Sequence, residues 1–128
     1  MIKIIASDLD ETLLDTDGTL NQKNIDAIKA ATKAGVYFVP NSGRGYESFE
    51  DNLIDLGLAQ QPHQYKISYN GAAILENAHD RVIATNGLPF ELAKSVFDAG
   101  RSFDHVSCHV YLLDQLYIYH QTPTDAAY

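Results

Sequence analysis

Basic residues are scarce in this 128-residue chain. Nine Lys and Arg stand against 17 Asp and Glu, a net charge of −8 with the five His neutral. A general nucleic-acid binder needs a basic surface to displace counterions, so that class is excluded, as is a polybasic membrane-surface protein. An acidic protein that handles an anionic substrate needs a local positive source, such as a metal ion or a helix N-terminus. Cysteine is scarcer still: Cys108 stands alone, which excludes an intrachain disulfide and suits a reducing cytoplasm. Long apolar runs are missing, and no segment approaches the roughly 20 residues of a membrane span. The apolar run in the N-terminal MIKIIASD stops at Asp8, too soon for the core of a secretory signal. Solenoid repeats and low-complexity tracts are also absent. What remains is an ordinary globular composition, 45% hydrophobic and 20% charged, long enough for one small core. A soluble cytoplasmic protein is expected.

The order of elements is regular as far as Asn70. Ile2 to Ala6 is a short β-branched run whose composition predicts a strand buried on both faces. Asn21 can cap a helix to about Ala34, with Ile25, Ile28 and Ala31 on one face and Gly35 as its stop. Val36 to Val39 is a second buried run, and Pro40 to Gly45 a turn. A second helix is expected from Tyr46, with Phe49, Leu53 and Leu56 inward, to Gly57. Tyr65 to Tyr69 gives a third strand, closed by Asn70-Gly71. This βαβαβ order predicts a parallel sheet with right-handed crossovers. Beyond it, Ala72 to Leu75 and Arg81 to Thr85 predict a hairpin. Pro89 suits the first turn of a helix to Ala99, with Phe90, Ala93, Val96 and Phe97 along one side. Val106 to Leu112 and Leu116 to His120 form another hairpin, and the tail QTPTDAAY has no periodicity. The chain therefore divides into residues 1–84, half of a doubly wound sheet, and residues 85–128, the start of a separate α+β unit.

The stretch SDLDETLLDTDGTL carries Asp-x-Asp-x-Thr twice, from Asp8 and from Asp15. In a doubly wound sheet, sites lie at the carboxyl ends of strands, and Asp8 and Asp10 leave the first strand there. Asp15 and Asp17, beside Gly18, have turn chemistry, and their spacing supplies neither the glycine nor the final Glu of an EF-hand. Taken alone, the Asp8 and Asp10 pair suits an Asx-turn as well as it suits catalysis. Ser42 follows the second strand, and Gly43-Arg44-Gly45 opens the next helix. Free N–H groups and a hydroxyl at such a helix start make a phosphate cradle. Carboxylates at one strand end and an anion cradle at its neighbour point to phosphoryl chemistry.

Three segments in this order resemble the haloacid dehalogenase superfamily, in its Cof-type phosphatases. Asp8-Leu9-Asp10-Glu11-Thr12-Leu13-Leu14 resembles the first motif, with Glu11 where Gly is commoner. Asn41-Ser42-Gly43-Arg44 resembles the second, with Ser in place of Thr, and Tyr69-Asn70-Gly71-Ala72 resembles the end of the third strand. The resemblance implies a Rossmann-like parallel sheet, its N-terminal half here, followed by the beginning of an inserted α+β cap. It implies hydrolysis of a small phosphorylated metabolite through an aspartyl-phosphate, with Asp8 as nucleophile, Asp10 as acid and base, and Mg²⁺ held by Asp8 and Asp10. Ser42, Gly43, Arg44 and Asn70 would bind the phosphoryl group, and Thr12 would brace the loop. A later lysine and a later acidic metal motif of the superfamily have no counterpart, so a truncated chain is expected, with Lys66 and Lys94 on the surface. The alternatives are an inactive remnant serving as an oligomeric or binding module, and a sugar phosphomutase. In the family sheet further strands flank the first strand. Without them it would be an open edge, so self-association through that edge or the cap is expected. His105 and His109 share a strand face that Cys108 does not, which argues against zinc there. By resemblance His109 and Tyr111 could face substrate, although solvated or sheet-packing positions suit them better. Tyr117 and Tyr119 alternate as a half-buried strand would, and His63 and His79 sit in loops.

Overall fold

A computed structural model describes residues 2–123 and 125 of the chain. It divides into two compact units, Met1–Asn86 and Gly87–Tyr128. The first unit is a five-stranded sheet in the order β1 (Ile4–Asp8), β2 (Tyr37–Asn41), β3 (Tyr65–Ser68), β4 (Ala73–Glu76) and β5 (Arg81–Thr85). β1, β2 and β3 are parallel, while β4 and β5 turn back antiparallel. The sheet with its helices matches the predicted Rossmann-like class.

Helix α1 (Gln22–Lys33) connects β1 to β2. Asn21 starts it by accepting the Lys23 N–H at 3.0 Å, and Gly35 takes a left-handed φ of +84° at its exit. The second helix differs from expectation. A 3₁₀ turn, Tyr46–Phe49, comes first, and α2 proper covers only Glu50–Leu56. Phe49 breaks the two at φ −126°, because its ring is fully buried and that anchor overrides a continuous helical path. The expected turn at Pro40 also starts later. Pro40 is the fourth residue of β2, on the side facing β3, and has no N–H to give. The β2–β3 ladder accordingly registers only Asn41 against Ile67.

Both helices pack on one side of the sheet. Leu9, Leu13 and Leu14 from the β1 loop meet Ile28, Phe38, Phe49, Leu53 and Leu56 in a single core. Burial of each large apolar side chain contributes about 1.5–3 kcal/mol. The strand order explains the one-sidedness, since right-handed crossovers that step twice in the same direction place both helices on the same face. Ile4 and Tyr37 lie on the other face and are exposed.

Among the described residues β1 pairs only with β2 and is the edge of the sheet, as expected. Its burial on both faces is corrected: Ile4 is 61% and Ile5 38% exposed. The β-branched run encodes a strand suited to neighbours on both sides, and among the described residues only β2 lies beside it. Lys66 is a second correction. It is fully buried, with Nζ 3.2 Å from a Glu50 oxygen and 2.6 Å from Asp80 Oδ1, over the rings of Tyr46 and Phe49. A buried ammonium is tolerated when carboxylates and ring faces surround it.

In the second unit α3 (Phe90–Gly100) accompanies the hairpin β6 (Cys108–Tyr111) and β7 (Leu116–Tyr119). Phe97 meets Tyr119 edge-on at 5.4 Å. Phe90 and Val96, on the side of α3 expected to be apolar, are exposed, because two strands cannot cover that side. Lys94 is on the surface, as expected, paired with Asp98 one turn on. His109 Nε2 lies 3.0 Å from Ser107 Oγ and from Asp125 Oδ1. The Thr122 backbone N–H, then its hydroxyl, hold the Asp125 carboxyl down at about 2. The expected irregular tail lies partly outside the described residues. No helix among the described residues is long and apolar enough to cross a membrane.

Candidate active site

The carboxyl ends of β1 and β2 place the first candidate residues. The strands run in parallel register from Ile4 opposite Tyr37 to Asp8 opposite Asn41, so Asp8 and Ser42 leave neighbouring strands at one end of the sheet. The loop after β1 turns around Leu9, which is fully buried and whose carbonyl accepts the N–H groups of Thr12, Leu13 and Leu14. Leu9 inward leaves Asp8 and Asp10 exposed on either side of it. Thr12 Oγ1 donates to Asp8 Oδ2 at 2.9 Å and so braces that carboxylate.

The loop after β2 is held by the end of β3. Ser42 N–H donates to Ile67 O at 3.0 Å, and Asn70 N–H donates to Ser42 O at 3.1 Å. The Arg44 carbonyl accepts both the Ser68 hydroxyl, at 2.6 Å, and the Tyr69 N–H, at 3.1 Å. Ser42 is buried, and its Oγ accepts the Arg44 N–H at 3.1 Å, which leaves the hydroxyl proton for another acceptor. The third segment presses against this loop. A Cβ on Gly43 would stand 3.1 Å from Asn70 Oδ1, so a larger residue would push the Asn70 amide back by a few tenths of an ångström. Tyr69 and Asn70 both adopt left-handed φ, +53° and +55°, a conformation that costs non-glycine residues energy and that the bonds to Ser42 and Arg44 maintain.

Asp10 and Arg44 meet across the crevice. Arg44 Nε donates to Asp10 Oδ2 at 3.0 Å, and Nη2 donates to Oδ1, so one guanidinium edge covers both oxygens. The side chains are 48% and 38% exposed, so the pair is open to solvent. Asp8, Asp10, Ser42, Gly43, Arg44 and Asn70 thus come from the three loops at the carboxyl ends of β1, β2 and β3. The cradle is not the start of an α-helix as expected, because the 3₁₀ turn intervenes. Its donors are a hydroxyl, loop amides and the Arg44 side chain.

The second Asp pair forms the turn expected of it. Asp17 Oδ1 accepts the Thr19 hydroxyl and N–H, which lower its pKa, and Gly18 takes φ +79° between Leu14 and Leu20, which bridge. Ser68 is a residue that sequence reading missed. It shares the buried face of β3 with Lys66, and only that alternation could have marked it.

Oxygen donors suit Mg²⁺, which commonly takes one or two protein carboxylates and completes its shell with water and phosphate oxygens. Asp8 fits that role, with one oxygen braced by Thr12 and the other without a partner among the described residues. No group of three or more His, Cys, Asp or Glu converges among the described residues.

Residues 5–127 match the family of haloacid dehalogenase-like hydrolases. A protein of Bacillus subtilis (strain 168) with the provisional name phosphatase YxeH is 32% identical over 98 residues, 77% of this chain and 36% of its own length. The structure of BT1666 from Bacteroides thetaiotaomicron, described among phosphatases of the haloalkanoate superfamily, is 27% identical. It superposes with TM-score 0.75 over 97% of this chain and 44% of its own. BT4131, a subclass IIB sugar phosphatase at 20% identity, shares the fold with TM-score 0.80 over 98% of this chain and 46% of its own. The chain spans a third to less than half the length of these relatives.

Proposed function

The chain belongs to the haloacid dehalogenase-like hydrolases, and from that premise we propose that it carries the nucleophile half of a Mg²⁺-dependent phosphomonoesterase for small phosphorylated metabolites. One observation carries the reading: the parallel register of Asp8 with Asn41, which brings a braced carboxylate and the Ser42 hydroxyl to one end of the sheet. Asp8 attacks phosphorus in line with the ester oxygen and forms an aspartyl-phosphate. Asp10 gives its proton to the departing alkoxide, then takes one from the water that cleaves the acyl phosphate, so the enzyme returns to its starting state. The Ser42 hydroxyl and the Gly43 N–H hold the equatorial oxygens as they gain charge. Arg44 and Asn70 line the same anion site. Mg²⁺, held by the Asp8 carboxylate and the Asp10 backbone carbonyl, would supply the positive charge that offsets repulsion between carboxylate and phosphate.

The purified chain is assayed with p-nitrophenyl phosphate and Mg²⁺. Turnover that Asp8→Asn abolishes supports the enzyme. Absence of turnover at every Mg²⁺ concentration selects the second reading, an inactive binding module.

A further inference from the structure

We propose that the Arg44–Asp10 pair is a latch opened by the substrate's phosphoryl dianion. The inference rests on the phosphatase reading and adds a control to it. Arg44 covers both oxygens of Asp10, through Nε at 3.0 Å and through Nη2. A guanidinium held in this way has its Nε–Nη2 edge occupied, so Arg44 cannot offer that pair of donors to an anion until the fork opens. The two side chains are half-exposed, which makes the pair weak enough to break and open enough to be reached. The backbone of Arg44 is fixed, by contrast. Its N–H is bound to Ser42 Oγ, and its carbonyl accepts from Ser68 and Tyr69. Opening therefore needs only a swing of the side chain, and the cradle stays in place.

A dianion in the cradle competes with Asp10 for the guanidinium, because it carries more charge and offers the same paired-oxygen geometry. Its arrival draws Arg44 away and uncovers both Asp10 oxygens. Without an anion, Asp10 occupies Arg44 and weakens anion binding. By linkage, whatever removes Asp10 from Arg44 must tighten the anion by the same factor.

The test is binding of inorganic phosphate to the full chain without Mg²⁺ at fixed pH, followed by NMR, with the dispersed amide spectrum confirming that each variant is folded. Asp10→Asn and Asp8→Asn each remove one negative charge from the crevice, but only Asp10 pairs with Arg44. The latch predicts that Asp10→Asn binds phosphate about three- to fivefold more tightly than Asp8→Asn does. It predicts that this excess disappears when Arg44→Lys, which keeps the charge but loses the fork, is added to both. In the unmutated chain the Arg44 Nε–Hε signal should move with phosphate at the binding midpoint. Equal gains for the two Asp variants, or an unmoved Arg44 signal while phosphate binds, overturn the latch and leave the phosphatase reading standing. No phosphate binding in any variant overturns both.

Discussion

Glu11 holds a left-handed backbone, φ +56°, between Asp10 and Thr12. Glycine is the commoner residue there in the family motif, and the backbone shows why: the turn that presents Asp8 and Asp10 needs a conformation costly to any residue with a Cβ. Relief of that cost outweighs the extra freedom glycine has when unfolded, so Glu11→Gly should stabilise the chain by about 0.5–1 kcal/mol. Urea unfolding checks it, as a raised midpoint with unchanged slope. Lys66 gives the opposite expectation. Lys66→Met leaves Glu50 and Asp80 without their cation, but both reach solvent, at 30% and 35% exposure, which discounts the loss. The variant should lose about 1–3 kcal/mol in the same experiment. The burial of Lys66 was not legible in the sequence, because its partners lie 16 residues before it in α2 and 14 after it beyond β4. The Asp8 and Ser42 juxtaposition was legible, because an apolar run followed at once by a polar loop fixes which end of the strand each residue leaves.

Among the elements, β4 and its turn depend on Glu76. The His63 backbone N–H, first, and the Arg81 side chain, second, hold the Glu76 carboxyl below its ordinary range. A depressed folded-state pKa means that the stabilisation is complete above the unfolded-state value and is lost as pH falls toward the folded-state one. Chain stability should therefore drop on acidification below the ordinary glutamate range, and Glu76→Gln should flatten that part of the profile in denaturation series collected between neutral and acid pH. In the second unit, α3 approaches β6 at Gly100, where a Cβ would lie 2.6 Å from Cys108 Sγ. Gly100→Ala should cost about 1–3 kcal/mol through overpacking. Cys108→Ala should recover most of it, a coupling visible in a double-mutant cycle. The sequence marked both elements but not their contact, since Gly100 served equally well as a helix stop. The split of the second helix at Phe49 was hidden for a related reason: periodicity reports which residues face inward and not how tightly the backbone winds between them.

At the scale of the molecule, the exposed β1 edge with Ile2, Ile4 and Ile5 beside it is a surface that isolated sheets seldom leave bare. We expect concentration-dependent self-association of the chain, reduced by Ile4→Lys, with light scattering as the measurement. A monodisperse monomer at high concentration contradicts it. The edge itself was legible through the family resemblance, whose sheet implies further strands beside the first. Composition alone would bury Ile4 and Ile5, because an apolar run reports what a strand is suited to and not what lies beside it; their exposure follows only from the expected open edge.

The strands of the first unit lie side by side in the order in which they are made, β1 to β5. Each one can dock on the strand synthesised before it, with at most one helical crossover to close and no later stretch to await. Assembly can therefore keep pace with the ribosome, adding one strand at a time from the N-terminus. A chain stalled after Asn86 would already possess every backbone pairing described from β1 to β5.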